Sequence, residues 1–243
     1  MLGIELTGPA RVAIDGHVRL LLAWNASINL TAIREPAAIA LRHVVDSLTG
    51  LAILRARRVD RFVDLGTGGG FPGIPLAAAL PVDRALLIDS IGKKARFLVV
   101  AVAAIGLGDR VAADAIRSES LAASRRDRGR WPAVTARAVA PLGELIELAF
   151  PLLQPGGVLV AWKRGEIADR AGLGGELAAA RSALDAIDPD GRIDVIPAVT
   201  VNAGRRLGDA ELATHRIVVV ERSSSLIART WPRDPATRRR RPR

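Results

Sequence analysis

The sequence predicts an α/β fold: a doubly wound, mostly parallel sheet of seven strands, with an antiparallel edge pair and an N-terminal helical cap. Three observations carry this. From Val59 onward, short apolar runs alternate with helix-length segments, the pattern of a parallel sheet covered on both faces. A glycine cluster, "GTGGG" at 66–70, sits where the first strand hands over to the first helix of that alternation. The last two strands have no long helix between them, which suits an antiparallel pair at the sheet edge.

Taken in order, residues 1–56 form the cap. "ARVAIDGHVRLLLAWNASI" sets Val12, Leu20, Leu22 and Trp24 among polar residues. "EPAAIALRHVVDSLTGL" carries an apolar face through Ile39, Val44, Leu48 and Leu51. It opens with Pro36 near the first helical position and stops at Gly50. Residues 57–222 form the core, with strands expected at 61–65, 84–90, 110–115, 133–138, 157–163, 193–201 and 215–222. Helices are expected at 72–80, 92–106, 141–153 and 166–187, and a charged loop at 123–130. Residues 223–243 form a basic, flexible tail.

Composition narrows the chemistry. The 243 residues are enough for one large domain, and with 3% aromatics its core must be aliphatic. With no Cys, disulfides, thiolate metal sites and cysteine nucleophiles are excluded. There is no Tyr, and His17, His43 and His215 have no metal-ligand spacing, so no metal is expected. Apolar runs such as "FLVVAVAAIGLG" fall short of the ~20 residues that span a bilayer, so no membrane partner is expected. The N-terminal stretch carries Glu5 and Asp15 and lacks a basic-then-apolar layout, which predicts a cytoplasmic monomer. The net charge is +10, of which the tail, with seven Arg and one Asp, holds +6. A clustered basic tail is the footprint of a polyanion partner, or else a solvated end in an Arg-rich chain.

The glycine loop has two frames. Gly68-x-Gly70-x-x-Gly73 matches the dinucleotide fingerprint. Gly66-x-Gly68-x-Gly70 matches the shorter loop of adenosyl-methionine-dependent methyltransferases. In either, an acid at the end of the second strand binds ribose hydroxyls, and Asp89 stands there. Asp64, just before the first glycine, favours the methyltransferase frame, in which it helps hold the amino-acid end of the cofactor.

Further motifs surround this loop. "WNASINLTAIREPAAIALRHVVDSL", "FVDLGTGGGFPGIPLA", "LLIDSIGKKARFL", "TARAVAPL" and "WKRG", in this order, resemble the RsmG/GidB family over about residues 20–222. The resemblance implies a Rossmann-like class I methyltransferase fold. It also implies S-adenosyl-L-methionine as cofactor and N7 of a guanine in 16S ribosomal RNA of the small subunit as acceptor. By the same resemblance, Gly66 and Phe71, with Gly68 from the same loop, are cofactor contacts and Asp89 is the ribose acid. Ser118 and Glu119 flank the adenine, and Arg137 matches the Arg of a Ser-Arg-Ala motif. Two departures stand out: Ala136 replaces that Ser, and Arg164 is inserted between Lys163 and Gly165.

The residue inventory fits this acceptor. Cytosine C5 methylation needs a cysteine, and methylation of exocyclic amines typically uses an Asn/Asp-Pro-Pro-Tyr/Phe loop; the chain has neither. Guanine N7 offers a lone pair and no proton, so its methylation needs alignment and no general base, and no catalytic acid or base is expected; an O-methyltransferase using Lys163 is the alternative left open. Arg137 is read as holding cofactor or guanine O6, or as one half of a structural ion pair. Asn29, Thr31, His43 and Asp46 are candidates to lie over the cofactor, and Lys93 and Lys94 to meet RNA phosphates. Trp24 and Trp162 are read as packing residues, and Trp231 as a stacking candidate. The competing readings are an NAD(P)-dependent oxidoreductase and a non-catalytic ribosome-binding module.

Overall fold

The structure is a computed structural model that describes residues 5–165, 173–198, 210–223 and 226–240. Helix α1 (Gly8–Ile28) begins at Thr7, whose hydroxyl accepts the Ala10 N–H at 3.3 Å, and ends at Asn29 with φ 47°. Helix α2 (Pro36–Ile39) starts behind Glu35, whose carboxylate caps the Ala38 N–H. It passes through a π-helical stretch, Ala40–Val45, into α3 (Asp46–Leu48), and α4 (Leu51–Ala56) follows. Pro36–Ala56 is long and apolar enough, by length and composition, to cross a membrane. Here Ile39, Leu48, Leu51 and Leu54 lie in the protein core.

The alternating region follows as β1 (Arg61–Leu65), α5 (Gly73–Ala79), β2 (Arg84–Ile88), α6 (Gly92–Ala104), β3 (Val111–Asp114), α7 (Ser118–Ala123), β4 (Trp131–Arg137), α8 (Leu142–Ala149), β5 (Leu153–Arg164) and α9 (Leu173–Ile187). Then come β6 (Arg192–Pro197), α10 (Ala210–Ala213), β7 (His215–Glu221) and α11 (Pro235–Arg240). The single sheet has the order β3-β2-β1-β4-β5-β7-β6. Strands β1 to β5 are parallel, and β7 runs antiparallel to both β5 and β6. The expected edge pair is therefore present, with the last strand inserted inside it. The chain order reverses between β1 and β4, and the crevice at their carboxyl ends is where open α/β sheets bind ligands.

Strand side chains alternate between two cores, with an irregularity in β4 between Trp131 and Ala133. Phe62, Leu87, Val158, Val160, Ile217 and Val219 face one side. Val63, Leu65, Val134, Leu159, Val218 and Val220 face the other. The N-terminal helices share the first core with α5 and α6, through Ile14, Leu21, Ile39 and Phe97. They are thus built into one layer of the fold.

Most expected elements occur within a few residues of their predicted bounds. Helix α7 was not expected, and β5 begins at Leu153, inside the predicted helix 141–153. The expected 166–172 part of α9 and the 199–201 end of β6 lie outside the described residues. Residues 226–240 of the tail make ion pairs with the core. Arg233 makes a bidentate pair with Glu147, which is buried, and Arg238 pairs with Glu119. These carboxylates lie on α7 and α8, so the basic tail has acidic partners within the fold.

Candidate active site

The loop after β1 is fastened from beneath. Asp64 is fully buried; one carboxylate oxygen accepts the Thr135 hydroxyl at 2.7 Å and the other the Gly73 N–H at 2.9 Å. Burial pushes its pKa up to about 6, against these hydrogen bonds. Asp64 lines neither cavity described below, in contrast to its expected role at the amino-acid end of a cofactor. It anchors the loop and the start of α5. A Cβ at Gly73 would collide with Leu87 and with the Asp64 carboxylate, so this glycine serves helix–sheet packing.

From the side, His17 of α1 donates its Nε2–H to the Gly69 carbonyl at 2.7 Å. Burial pulls its pKa down to about 4, so the ring is neutral at pH 7. Asn25 is buried and its carboxamide bonds the backbone of Leu30 and Thr31, shaping the turn between α1 and α2. Above the loop, Gly68 has φ +58° and no atom nearer than 3.9 Å to its missing Cβ. Open space over a left-handed glycine leaves the backbone free to touch a ligand.

Two cavities meet at Gly66, which lines both. The first, about 600 Å³, is bounded by Gly68, Phe71, Arg137, Arg42, Lys94 and Arg164, among others. The second, about 240 Å³, contains Asp89, Ser118, Glu119, Glu144, Arg117 and Arg238. The seven expected cofactor contacts therefore all line this double crevice. Gly68, Phe71 and Arg137 lie in the first cavity, Asp89, Ser118 and Glu119 in the second, and Gly66 between them.

Arg137, at the end of β4, is held by the N-terminal helices. It donates to Asp46 at 2.9 Å, to the Arg42 carbonyl at 3.2 Å and to His43 Nδ1 at 3.1 Å. Its guanidinium lies 5.4 Å from the centre of the Phe71 ring, which also stacks on His43 at 4.8 Å. Because His43 Nδ1 accepts from Arg137, its Nε2–H donates to the Thr31 hydroxyl at 2.8 Å. Burial, then the Arg137 charge, lowers the His43 pKa to about 4. His215 Nδ1–H donates to the other oxygen of Asp46 at 2.7 Å. Burial alone would raise the Asp46 pKa, but His215 and Arg137 outweigh it and hold the carboxyl below its usual range. Arg137 is thus ion-paired and also lines the first cavity.

The remaining candidates divide. Asp89 accepts the Gly68 N–H at 3.0 Å and the Ile91 N–H at 2.8 Å, joining the loop to the end of β2. Asn29 is exposed and ends α1, while Thr31 supports His43. Ala136 is buried and brings no hydroxyl. Arg164 ends β5 at the rim of the first cavity, and Gly165 turns away at φ +114°. Lys163 is engaged by Glu176 at 2.5 Å. Lys94 lines the first cavity and Lys93 is exposed. Trp162 packs against Gly50 and donates its indole N–H to the Asp46 carbonyl at 2.7 Å, and Trp24 packs on Phe97. Trp231 packs against the second core. Sequence reasoning gave no site role to His17, Asn25 or His215. Their partners, apart from the near turn held by Asn25, are 52 and 169 residues away, so no local spacing announces them.

Sheet order, antiparallel β7 and a glycine loop opening on a crevice at the β1–β4 switch define a class I methyltransferase fold. Solved structures agree on the fold: the O-methyltransferase from Bacillus cereus in complex with SAH superposes with a TM-score of 0.57 at 19% identity, covering 86% of this chain and 91% of that one. A family profile described as rRNA small subunit methyltransferase G matches residues 12–173, and the chain belongs to that family. Ribosomal RNA small subunit methyltransferase G of Desulfitobacterium hafniense is 40% identical over 67% of this chain and 66% of its own length. The protein of that name from Stenotrophomonas maltophilia is 44% identical over 60% of this chain and 66% of its own length. The matched stretch thus spans just under two thirds of each of these relatives.

Proposed function

We propose that this protein transfers a methyl group from S-adenosyl-L-methionine to N7 of a guanine in 16S ribosomal RNA of the small subunit. One observation carries the reading: a carboxylate-lined cavity and a cation-rimmed cavity meet at Gly66. Asp89, Ser118 and Glu119 would hold the nucleoside half of the cofactor, the Asp89 carboxylate taking ribose hydroxyls. Gly66, Gly68 and Phe71 would hold the rest, against the open backbone at Gly68. When bound, the cofactor supplies an electrophilic methyl group on a sulfonium.

The protein's own residues then have one task, which is alignment. Arg42, Lys94 and Arg164 rim the first cavity and would meet RNA phosphates. Arg137, fixed by Asp46 and His43, presents a rigid guanidinium suited to guanine O6. His43 is neutral with both ring nitrogens hydrogen-bonded, and His17 lines neither cavity, so neither is positioned to take a proton. Guanine N7 offers its lone pair directly, and no proton needs to leave it. A cytoplasmic location goes with this reading.

Mass mapping of 16S ribosomal RNA from cells with and without the gene tests the proposal. One guanine should lose a single N7 methyl group in the deletion strain and regain it with the wild-type gene, but not with Asp89→Ala. Unchanged methylation in the deletion strain would overturn it. Restoration by Asp89→Ala would favour a non-catalytic ribosome-binding role. The oxidoreductase alternative loses support from the sheet, since dinucleotide folds lack the inserted antiparallel strand.

A further inference from the structure

The second cavity has a wall from outside the family-matched residues 12–173. Residues 226–240 return to α7 and α8 and are tied down at three points. Arg128 donates to the carbonyls of Trp231 and Ala228, both at 2.9 Å. Glu147 accepts the Arg233 backbone N–H at 2.6 Å as well as its guanidinium. Arg238 pairs with Glu119 and lies 3.3 Å from Glu144. Its side chain is 8% exposed and lines the cavity, and its Nε is the atom that approaches Glu144.

Three carboxylates, Asp89, Glu119 and Glu144, border this small space. Of the two cations there, Arg117 is exposed and Arg238 is buried. Glu119 sits in the first turn of the six-residue helix α7. Apart from Arg238, its side-chain partner is the adjacent Ser118 hydroxyl at 3.3 Å, a long bond. A glutamate so placed would sample several rotamers and repel its acidic neighbours without a fixed cation. We propose that Arg238 is a positioning residue for cofactor binding: it fixes Glu119 and makes the C-terminal segment the outer wall of the nucleoside subsite. The identity of the ligand rests on the methyltransferase reading; the wall itself rests on the ion pairs.

Titration calorimetry of the full chain with adenosyl-methionine and with S-adenosylhomocysteine tests the wall. Arg238→Ala should weaken both affinities roughly tenfold, the worth of one lost charge-assisted hydrogen bond in a half-buried setting. It should raise the KM for cofactor while leaving kcat and the KM for RNA near wild type. Arg238→Lys should restore part of the loss. In a Glu119→Gln background, Arg238→Ala should cost little more, a coupling that general destabilisation would not produce. Unchanged affinity in Arg238→Ala overturns the proposal, and tighter binding overturns it in favour of Arg238 as an obstruction. If additive losses appear in the double variant, Arg238 acts only on stability and the proposal fails. A wild-type chain that binds neither ligand sinks the methyltransferase reading first, a result distinct from a normal wild type with an unaffected variant.

Discussion

The two cavities at Gly66 are opposite in character. The first is large, rimmed by Arg42, Lys94 and Arg164, and its one carboxylate, Asp46, is ion-paired with Arg137 and hydrogen-bonded by His215. The second is small and bordered by three carboxylates, with one buried arginine among them. A field of one sign draws a polyanion to the first, while carboxylate acceptors in the second suit hydroxyl and amino donors. The supports differ too. The first cavity is organised by the N-terminal helices, the second by the C-terminal segment. The two cavities are therefore shaped by segments far apart in the chain around one glycine.

The largest expected effect falls in the glycine loop. Gly68→Val forces a β-branched residue to φ +58° and fills the open space above the loop. Cofactor binding should vanish in calorimetry while circular dichroism stays that of a folded protein. Retained affinity would break the assignment of the loop.

Next comes the first cavity alone. Arg137→Ala leaves Asp46, 3% exposed, with His215 but without its guanidinium. Losing one partner of a buried pair costs about 3 kcal/mol. Methyl transfer should collapse and the melting temperature drop, whereas Asp89→Ala should weaken cofactor binding with little change in RNA affinity. Equal effects of the two variants on both ligands would erase the contrast between the cavities.

The smallest effect is a pH dependence. The folded-state pKa of His17 is about 4, below its ordinary 6.5. Its contribution is therefore fully present above pH 6.5 and is lost as pH falls toward 4, on the order of 3 kcal/mol for so buried a ring. Asp64, raised to about 6, works in the opposite sense: its contribution is present below pH 3.8 and lost as pH rises through 6. His17→Gln, which keeps a donor toward the Gly69 carbonyl, should flatten the acid limb of a denaturation series. A His17→Gln series with the same acid limb as wild type would contradict this.

The glycine loop, Asp89 and the strand alternation are legible in sequence because each depends on neighbours along the chain. Phe71 and Arg137 needed a resemblance to be singled out, and the structure adds the His43–Arg137–Asp46–His215 network that joins three separate segments. Helix α7 was hidden because six residues give no periodicity to read. Asp64 looked like a ligand contact because a strand-end acid beside glycines is a ligand pattern; only burial shows that the chain's own Thr135 and Gly73 take both oxygens. The tail read as free charge because its partners, Glu147 and Glu119, stand 86 and 119 residues away.

The central claim is that the first cavity aligns guanine N7 and needs no base. It is tested most directly by methyl transfer to small-subunit RNA carrying 7-deazaguanine at the target position, which replaces N7 by C–H and leaves the other base edges intact. This RNA should bind with near-normal affinity and accept no methyl group. Continued transfer to it would show that another atom is the acceptor.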